Sequence, residues 1–569
     1  MKTYIYIFIF FSFVFTACED YLDKYPLDSI SSNQYWTTAQ DLELYVNQYY
    51  TRFPNDTRGD GSILDNNSDN LVETEFSSIL AGTRVVPASG GGWSWSDIRN
   101  VNYFLTHYNT VESPWGSVRQ YVGEAYFFRA YFYFNLLRNF GDIPWISEPL
   151  HNDSEELYME RTPRNIVMDS IVADLDKAIL YMKNKGEVSA SRLNSQIALL
   201  YKSRVCLFEG TWEKYHANTS FGVAGSDGTK YLTLAQDAAK QLIDGELYSI
   251  YGGDNPEIDY YQFFGQDDYS NNSEVMLWKK WDIDLGLFRW QPSIWGMGRG
   301  ITKSLVDDYL CTDGLPISQS SLYQGDNSLN DIVVNRDPRL AQTIYLPTDP
   351  VNIIGSDITF FEKPDIDKSG SYLCVTGYQL KKYSNRWGDH LKESYYQCQI
   401  GSIIFRYAEA LLNYIEAKAE LGQVTQADID LTINKLRDRV GMPHLNMDNI
   451  AFDSDWDFPS LSPLINEIRR ERRVELACEG LRLMDMLRWR SHQVFVNKRP
   501  LGMKFSQADF PEMVIGTNVY LDENGYIDPY QKSLLSGYEF NEDRDYLYPI
   551  PSIEFTLNSN LSQNPGYDK

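Results

Sequence analysis

Along the 569-residue chain, several stretches repeat apolar residues every three or four positions, the spacing of a helix with one buried face. In "TPRNIVMDSIVADLDKAILYMKNKG", Thr162 can cap and Pro163 suits the first helical position. Ile171, Leu175, Ala178, Ile179 and Met182 then form a stripe that Gly186 stops. "LNSQIALLYKSRVCLFEG" places Ile197, Leu200, Tyr201, Val205 and Phe208 on one face and is expected to end at Gly210. "GEAYFFRAYFYFNLLRNFG" is apolar almost all round, as a helix buried among others would be.

The best-formed unit runs from Ile404 to Val440. A first stripe of Ile404, Ala408, Leu411, Leu412, Ile415 and Ala419 ends at Gly422, and Thr425 caps a second helix carrying Ile429, Ile433 and Leu436. Its length is that of a tetratricopeptide-type hairpin, which cannot bury its stripe alone. The segments at 118–140, 163–183, 192–209 and 231–245 are the expected partners. "SPLINEIRRERRVELACEG" predicts a last helix, with Ser462 as cap and Pro463 at the first position. On it Glu467/Arg470, Arg472/Glu475 and Glu479/Arg482 are spaced to pair. Arginine holds a carboxylate ionised, so the segment reads as structural and not catalytic. Between the helices lie Gly-, Asn-, Asp- and Tyr-rich stretches at 56–97, 210–230, 250–300 and 311–400. The expectation is mainly α: about four tetratricopeptide-like hairpins packed against an irregular, loop-rich region with minor β structure. No polar linker divides the chain.

The first residues add an address. A short basic start and an apolar run, Ile5 to Val14, lead through Phe15-Thr16-Ala17 to Cys18 and then to Glu19-Asp20. The run is too short to span a bilayer. It resembles a bacterial lipoprotein signal over residues 1–17 with Cys18 as the lipidation site, and the acidic pair resembles the export tag of surface lipoproteins in the Bacteroidetes. The net charge of −27 argues against nucleic acid and against docking on anionic lipid by charge alone. The five later cysteines are odd in number with no close pair, so no disulfide framework is expected, and Cys374 and Cys398 would pair only if two strands met there. The 41 Tyr, 28 Phe and 13 Trp exceed what a core needs and suit ligand-facing surfaces.

Four segments, in order, carry a specific likeness: "GEAYFFRAYFYFNLLRNFGDIPW" (123–145), "RYAEALLNYIEAKAELG" (406–422), "ERRVELACEGLRLMDMLRW" (471–489) and "LYPIPSIEFTLNSNLSQNPGY" (547–567). They resemble the signature segments of the SusD/RagB family, whose members are nutrient-binding surface lipoproteins of the Bacteroidetes. The resemblance implies one SusD-like unit over 18–569, with an N-terminal part at about 19–230 and a C-terminal part at about 270–569. It further implies glycan capture, delivery to a SusC-like TonB-dependent transporter in the outer membrane, no bond chemistry and no cofactor.

Candidate ligand residues fall in two aromatic stretches. In "GGGWSWSDIRN", Trp93 and Trp95 would point the same way from an extended chain and form a platform for sugar C–H faces. Asp97, Arg99 and Asn100 stand ready at its edge. This loop resembles the place where starch-binding family members carry stacking aromatics. In "LWKKWDIDLGLFRWQPSIWGMGRG", Trp278 reads as core, whereas Arg289, Trp290 and Trp295 read as the edge of a pocket. The loop from Asp65 to Asn70 begins like a calcium site, but Asn70 and Phe76 occupy the places of its glycine and glutamate. It reads instead as a solvated loop in which Asp69, with Arg84 nearby, offers polar contacts to a sugar. No metal-ligand or nucleophile motif occurs. Two other classes stay open: a surface glycoside hydrolase, for which Asp307 and Asp308 are examples of a carboxylate pair, and a helical adaptor that binds only protein.

Overall fold

The computed structural model describes residues 36–54, 64–289, 296–387 and 398–568. Cys18, Trp290 and Trp295 lie outside the described residues. The first part is helical: α1 (Ala39–Asn47), α2 (Ser96–His107), α3 (Trp115–Phe140), α4 (Arg164–Tyr181), α5 (Ser195–Tyr215) and α6 (Thr229–Asp244). Three short helices follow, α7 (Asp259–Phe263), α8 (Lys303–Asp308) and α9 (Pro338–Thr343). Then come α10 (Tyr407–Glu420), α11 (Gln426–Leu431), α12 (Ile433–Arg439), α13 (Pro463–Glu475), α14 (Arg482–Arg488) and α15 (Ser552–Leu557). Strands β1 (Leu71–Glu73), β2 (Val275–Lys279), β3 (Arg299–Ile301), β4 (Pro350–Ile354), β5 (Asp357–Phe360) and β6 (Ser402–Arg406) pair antiparallel as β1–β3, β2–β6 and β4–β5. The protein is mainly helical with tetratricopeptide-like character.

Successive helices pack on one another from α3 to α6, and α10 closes the array against α5 and α6. Their apolar stripes merge into one core that includes Phe128, Ile171, Leu200, Leu232 and Leu411. Gly210 does not end α5, which continues to Tyr215. A Cβ there would lie 2.7 Å from both the backbone nitrogen and Cγ of Leu232, so the glycine sets the close approach of α6. The α10 hairpin also departs from expectation at both ends. Ile404 lies in β6, and the second helix breaks into α11 and α12 at Thr432, whose hydroxyl donates to the Asp428 carbonyl at 2.6 Å. The predicted caps on Thr425 and Ser462 are present.

Helix α13 is charged yet buried along most of its length. Of the three pairs expected on its surface, only Glu467–Arg470 forms, at 2.7 Å. The other charges reach distant segments. Glu475 meets Arg406 at 2.7 Å, Arg339 at 3.0 Å and also Arg439; Glu479 meets Arg406 at 2.6 Å and Lys382 at 2.7 Å. Glu274 joins Arg406 to Arg439 from the strand side, at 2.8 and 3.1 Å. Burial alone would raise the Glu475 carboxyl, but the charges of Arg439, Arg406 and Arg339 outweigh it and hold the group well below the ordinary carboxylate range. The five later cysteines are buried, and Cys374 is a free thiol, so it is not bridged to Cys398. The backbone of Cys374 pairs with Arg299 and that of Cys398 with Arg289, so the two cysteines do not lie on facing strands.

Two outcomes follow. Glu475→Ala takes one carboxylate from each of three buried guanidiniums, leaving more positive charge than Glu274, Glu479, Asp337 and Glu471 were matched to, and should destabilise the protein by about 3–5 kcal/mol in denaturant titration. Glu213, on α5, is lifted from 4.5 to about 7 by burial and by the charge of Glu209. Its folded-state value lies above the unfolded one, so its contribution is full below the ordinary carboxylate range and is lost as pH rises through about 7. Between pH 5 and 8 the melting temperature should fall more steeply for the wild type than for Glu213→Gln.

Candidate functional site

A cleft of about 480 Å³ opens beside the Gly90–Trp95 turn. Its floor is Trp93, Trp95 and the start of α2; one wall is the 144–158 loop and the other is α15 with Leu561. The turn is tight: Trp93 N–H donates to the Gly90 carbonyl at 3.0 Å and Ser94 N–H to that of Gly92 at 3.0 Å. Gly90, Gly91 and Gly92 all hold positive φ, which few other residues tolerate. Trp95 is the N-cap of α2 with near-helical dihedrals, so the chain is not extended across Trp93–Trp95. The two indoles accordingly stand at 75°, edge to face, with centroids 5.4 Å apart, and not parallel as expected. Trp93 is 7% exposed and packs edge-on against Phe140 at 4.9 Å, whereas Trp95 is half-buried and presents the larger surface.

The walls are irregular chain held by side chains. Tyr133 on α3 donates its hydroxyl to the Ile146 carbonyl and accepts from the Ile146 amide, both at 2.7 Å. Asn102 on α2 donates to the same carbonyl at 2.8 Å. Arg129, paired fork to fork with Asp174 at 2.6 and 2.7 Å, donates to Asn102 and to the Ser147 carbonyl. On the far side Asn558 and Asn560 donate to the Met159 and Tyr158 carbonyls at 2.9 and 2.7 Å. Arg161 also donates to Asn564 at 2.6 Å. The C-terminal segment is thus tied to the 144–161 stretch.

What reaches the open space is apolar surface edged by charge. Tyr158 and Leu557 are 56% and 64% exposed. Arg99, Glu148 and Glu156 are exposed lining residues, and Glu554 is held above the ordinary carboxylate range by burial. The Arg99 backbone N–H donates to the Trp95 carbonyl at 2.9 Å, while its guanidinium makes no hydrogen bond or ion pair among the described residues. Aromatic faces with a few convergent charged and polar groups are what binding of a small polar ligand requires.

The other expected ligand residues lie elsewhere. Asn100 is absent from the cleft lining; its carbonyl accepts from Tyr45 at 3.2 Å, and Asn102, two positions on, takes the lining place. Asp97 faces Arg52 at 3.0 Å. Asp69 is buried between Arg482, at 2.7 Å through both oxygens, and Arg473 at 3.2 Å. Its loop is not solvated: Asp65 accepts from the Cys478, Gly480 and Arg482 amides and so caps α14. Arg84 donates to the Asp545 carbonyl and stacks 4.5 Å over Tyr548. Arg289 is fully buried, its backbone paired with Cys398 and its guanidinium 3.3 Å from Ser402 Oγ. Trp278 is core, as expected. Asp307 and Asp308 are engaged by Lys303 and Arg473. Among the described residues no cluster could hold a metal ion. The sequence reading missed Glu156–Tyr158 on the first wall and Glu554–Leu561 on the second; the latter lie in the signature segment 547–567, the one signal that could have pointed to them.

Residues 262–567 match the sequence pattern of the SusD family, and residues 20–207 match the family described as "Starch-binding associating with outer membrane". The chain belongs to the SusD family. SusD-like protein P2 of Formosa agariphila is 22% identical over an alignment of 583 positions, covering 100% of both chains. SusD-like protein P38 of the same organism is 24% identical over 84% of this chain and 88% of its own length. A SusD-like protein of Bacteroides fragilis shares the fold with a TM-score of 0.68, at 23% identity over 96% of this chain and 100% of its own. A SusD-like carbohydrate-binding protein of the same species gives 0.69, at 20% identity over 93% and 100%.

The cleft geometry separates the two tryptophans. Trp93→Ala removes a core indole and should cost about 3–5 kcal/mol in chemical denaturation. Trp95→Ala should leave the far-UV circular dichroism unchanged and lower stability by less than half of that.

Proposed function

We propose that this SusD-family chain captures an oligosaccharide in the Trp93–Trp95 cleft at the cell surface and passes it to a SusC-like TonB-dependent transporter in the outer membrane. Lipid on Cys18 holds it at the outer leaflet. The observation that carries this reading is the cleft itself, with the half-buried Trp95, the exposed Tyr158 and the unpaired Arg99 around one opening. Indole and phenol faces suit the C–H faces of sugar rings, while Arg99 and the carboxylates suit hydroxyl groups. The carbohydrate-binding description of the Bacteroides fragilis relative and the outer-membrane association of the matching family support it. No bond chemistry is needed for capture and hand-over.

A glycoside hydrolase is the second reading, favoured by one observation: Glu554, with a raised carboxyl, lines the same cleft as Glu148 and Glu156. One experiment addresses both. The purified chain is titrated calorimetrically against oligosaccharides and, for comparison, peptides, and each mixture is analysed for products. Saturable binding of an oligosaccharide without products, weakened about tenfold or more by Trp95→Ala, is expected from the loss of a stacked ring at the centre of the site. Products lost on Glu554→Gln would establish hydrolysis, and binding of peptides alone would overturn the glycan reading.

A further inference from the structure

A second cleft, of about 190 Å³, lies where α3 and α5 meet β6 and the turn from Leu476 to Met484. One face of α3 contributes Tyr131, Asn135 and Arg138, spaced four and three apart, and α5 contributes Tyr201 and Arg204. Aromatic rings form its sides: Tyr131 lies 5.6 Å from Tyr201 and 5.2 Å from Phe53. The guanidinium of Arg204 lies 4.8 Å over the Phe405 ring.

One charged group at this cleft lacks a partner of opposite charge. Arg138, Arg204 and Arg406 line it with Glu409 and Glu479, and Arg406 is shared with Glu274 and Glu475 of the buried lattice. Arg204 holds Glu409 fork to fork at 2.5 Å, and Arg406 holds Glu479 at 2.6 Å. Arg138 is left over. It makes no ion pair among the described residues; its Nη1 points to the thioether sulfur of Met484 at 3.0 Å, and its buried Nε has no partner. A sulfur is among the weakest acceptors a protein offers, and buried donors are seldom left unmet. In a chain of net charge −27, a half-buried arginine without a carboxylate is a local excess of positive charge at the mouth of a cavity. Burial raises the Tyr131 and Tyr201 phenols above their ordinary range, so both stay protonated and able to donate.

We propose that this cleft is a second binding site, separate from the tryptophan cleft, for a small monocarboxylate carried on a single ring. The carboxylate would draw Arg138 off the Met484 sulfur, since a guanidinium edge matches the two oxygens of a carboxylate. Asn135 and the Tyr131 hydroxyl would bind at the rim, and the ring would lie against Tyr131, Ile403 and Ile404, lining residues that are only partly buried. One guanidinium without a carboxylate suits a single negative group. Polyanions would meet Glu409 and Glu479, and cations would meet Arg138.

The test is calorimetric titration of the purified full-length chain with sodium benzoate and sodium glucuronate, each beside its neutral counterpart, benzyl alcohol and glucose. At least one carboxylate should bind saturably and about tenfold or more tighter than its counterpart, the loss expected on removing a charged hydrogen-bond partner. Benzoate alone would identify the source as an aromatic acid, and glucuronate alone as an acidic sugar. Arg138→Gln should weaken binding about tenfold with unchanged circular dichroism. Should that variant fail to fold, Asn135→Ala, at the rim, should weaken it severalfold. The proposal is overturned if neither carboxylate binds, if the neutral counterparts bind equally well, or if the folded variants bind as the wild type does.

Discussion

The fold is organised around a buried lattice of ion pairs centred on Glu475. Three guanidiniums converge on that carboxylate from α9, β6 and the end of α12, and Glu274 and Glu479 extend the lattice to β2 and to Lys382. Removing charge from water is costly, and the attraction between partners offsets that cost only when each has its full set of directed contacts. The lattice therefore demands one arrangement of the chain. It acts where periodic apolar packing is scarce, because the described part of residues 250–400 contains only short helices and two-stranded sheets that could not fix their own positions. The helical array, by contrast, is held by merged apolar stripes and by glycines that bring helices close.

The same division shapes the tryptophan cleft. Its floor rests on α2 and α3, and its walls are loops pinned by side-chain bonds to backbone carbonyls. Tyr133, Asn102 and Arg129 set the 144–148 loop from the helical side, and Arg129 is itself oriented by Asp174. A binding surface made of loops thus inherits the rigidity of helices without being helical, which leaves its exposed residues free to vary.

The helices with a clear apolar stripe, α4, α5 and α10, were legible in the sequence because their periodicity is local information. So were the caps at Thr425 and Ser462. Helix α13 was legible as a helix but not as a buried one: its charges look like a solvated face until their partners, from Asp69 to Arg439, are brought from across the chain. The same reason hid the roles of Asp69 and Arg84, whose loops read as exposed although Arg482 and Asp545 lie more than 400 residues on. At the cleft, the identity of Trp93 and Trp95 as lining residues was readable from composition and glycine context. Their mutual angle was not, because it is set by a helix start that alternation along an extended chain does not anticipate. The second wall lies within the signature segment 547–567, but nothing local to that segment shows that it folds against the tryptophan turn, and Tyr158 on the first wall belongs to no motif.

That wall is joined to the first by bonds spanning about 400 residues of chain, from Met159 to Asn558 and from Arg161 to Asn564. A ribosome releases the tryptophan turn more than 400 residues before the closing segment. The helical array can assemble as it emerges, in the way that N-terminal units of large proteins do, but the cleft stays open on one side until that segment has followed. A polypeptide interrupted before Glu554 would keep the aromatic floor and lack the second wall. Closure of the cleft thus waits on the codons from Glu554 to Leu561.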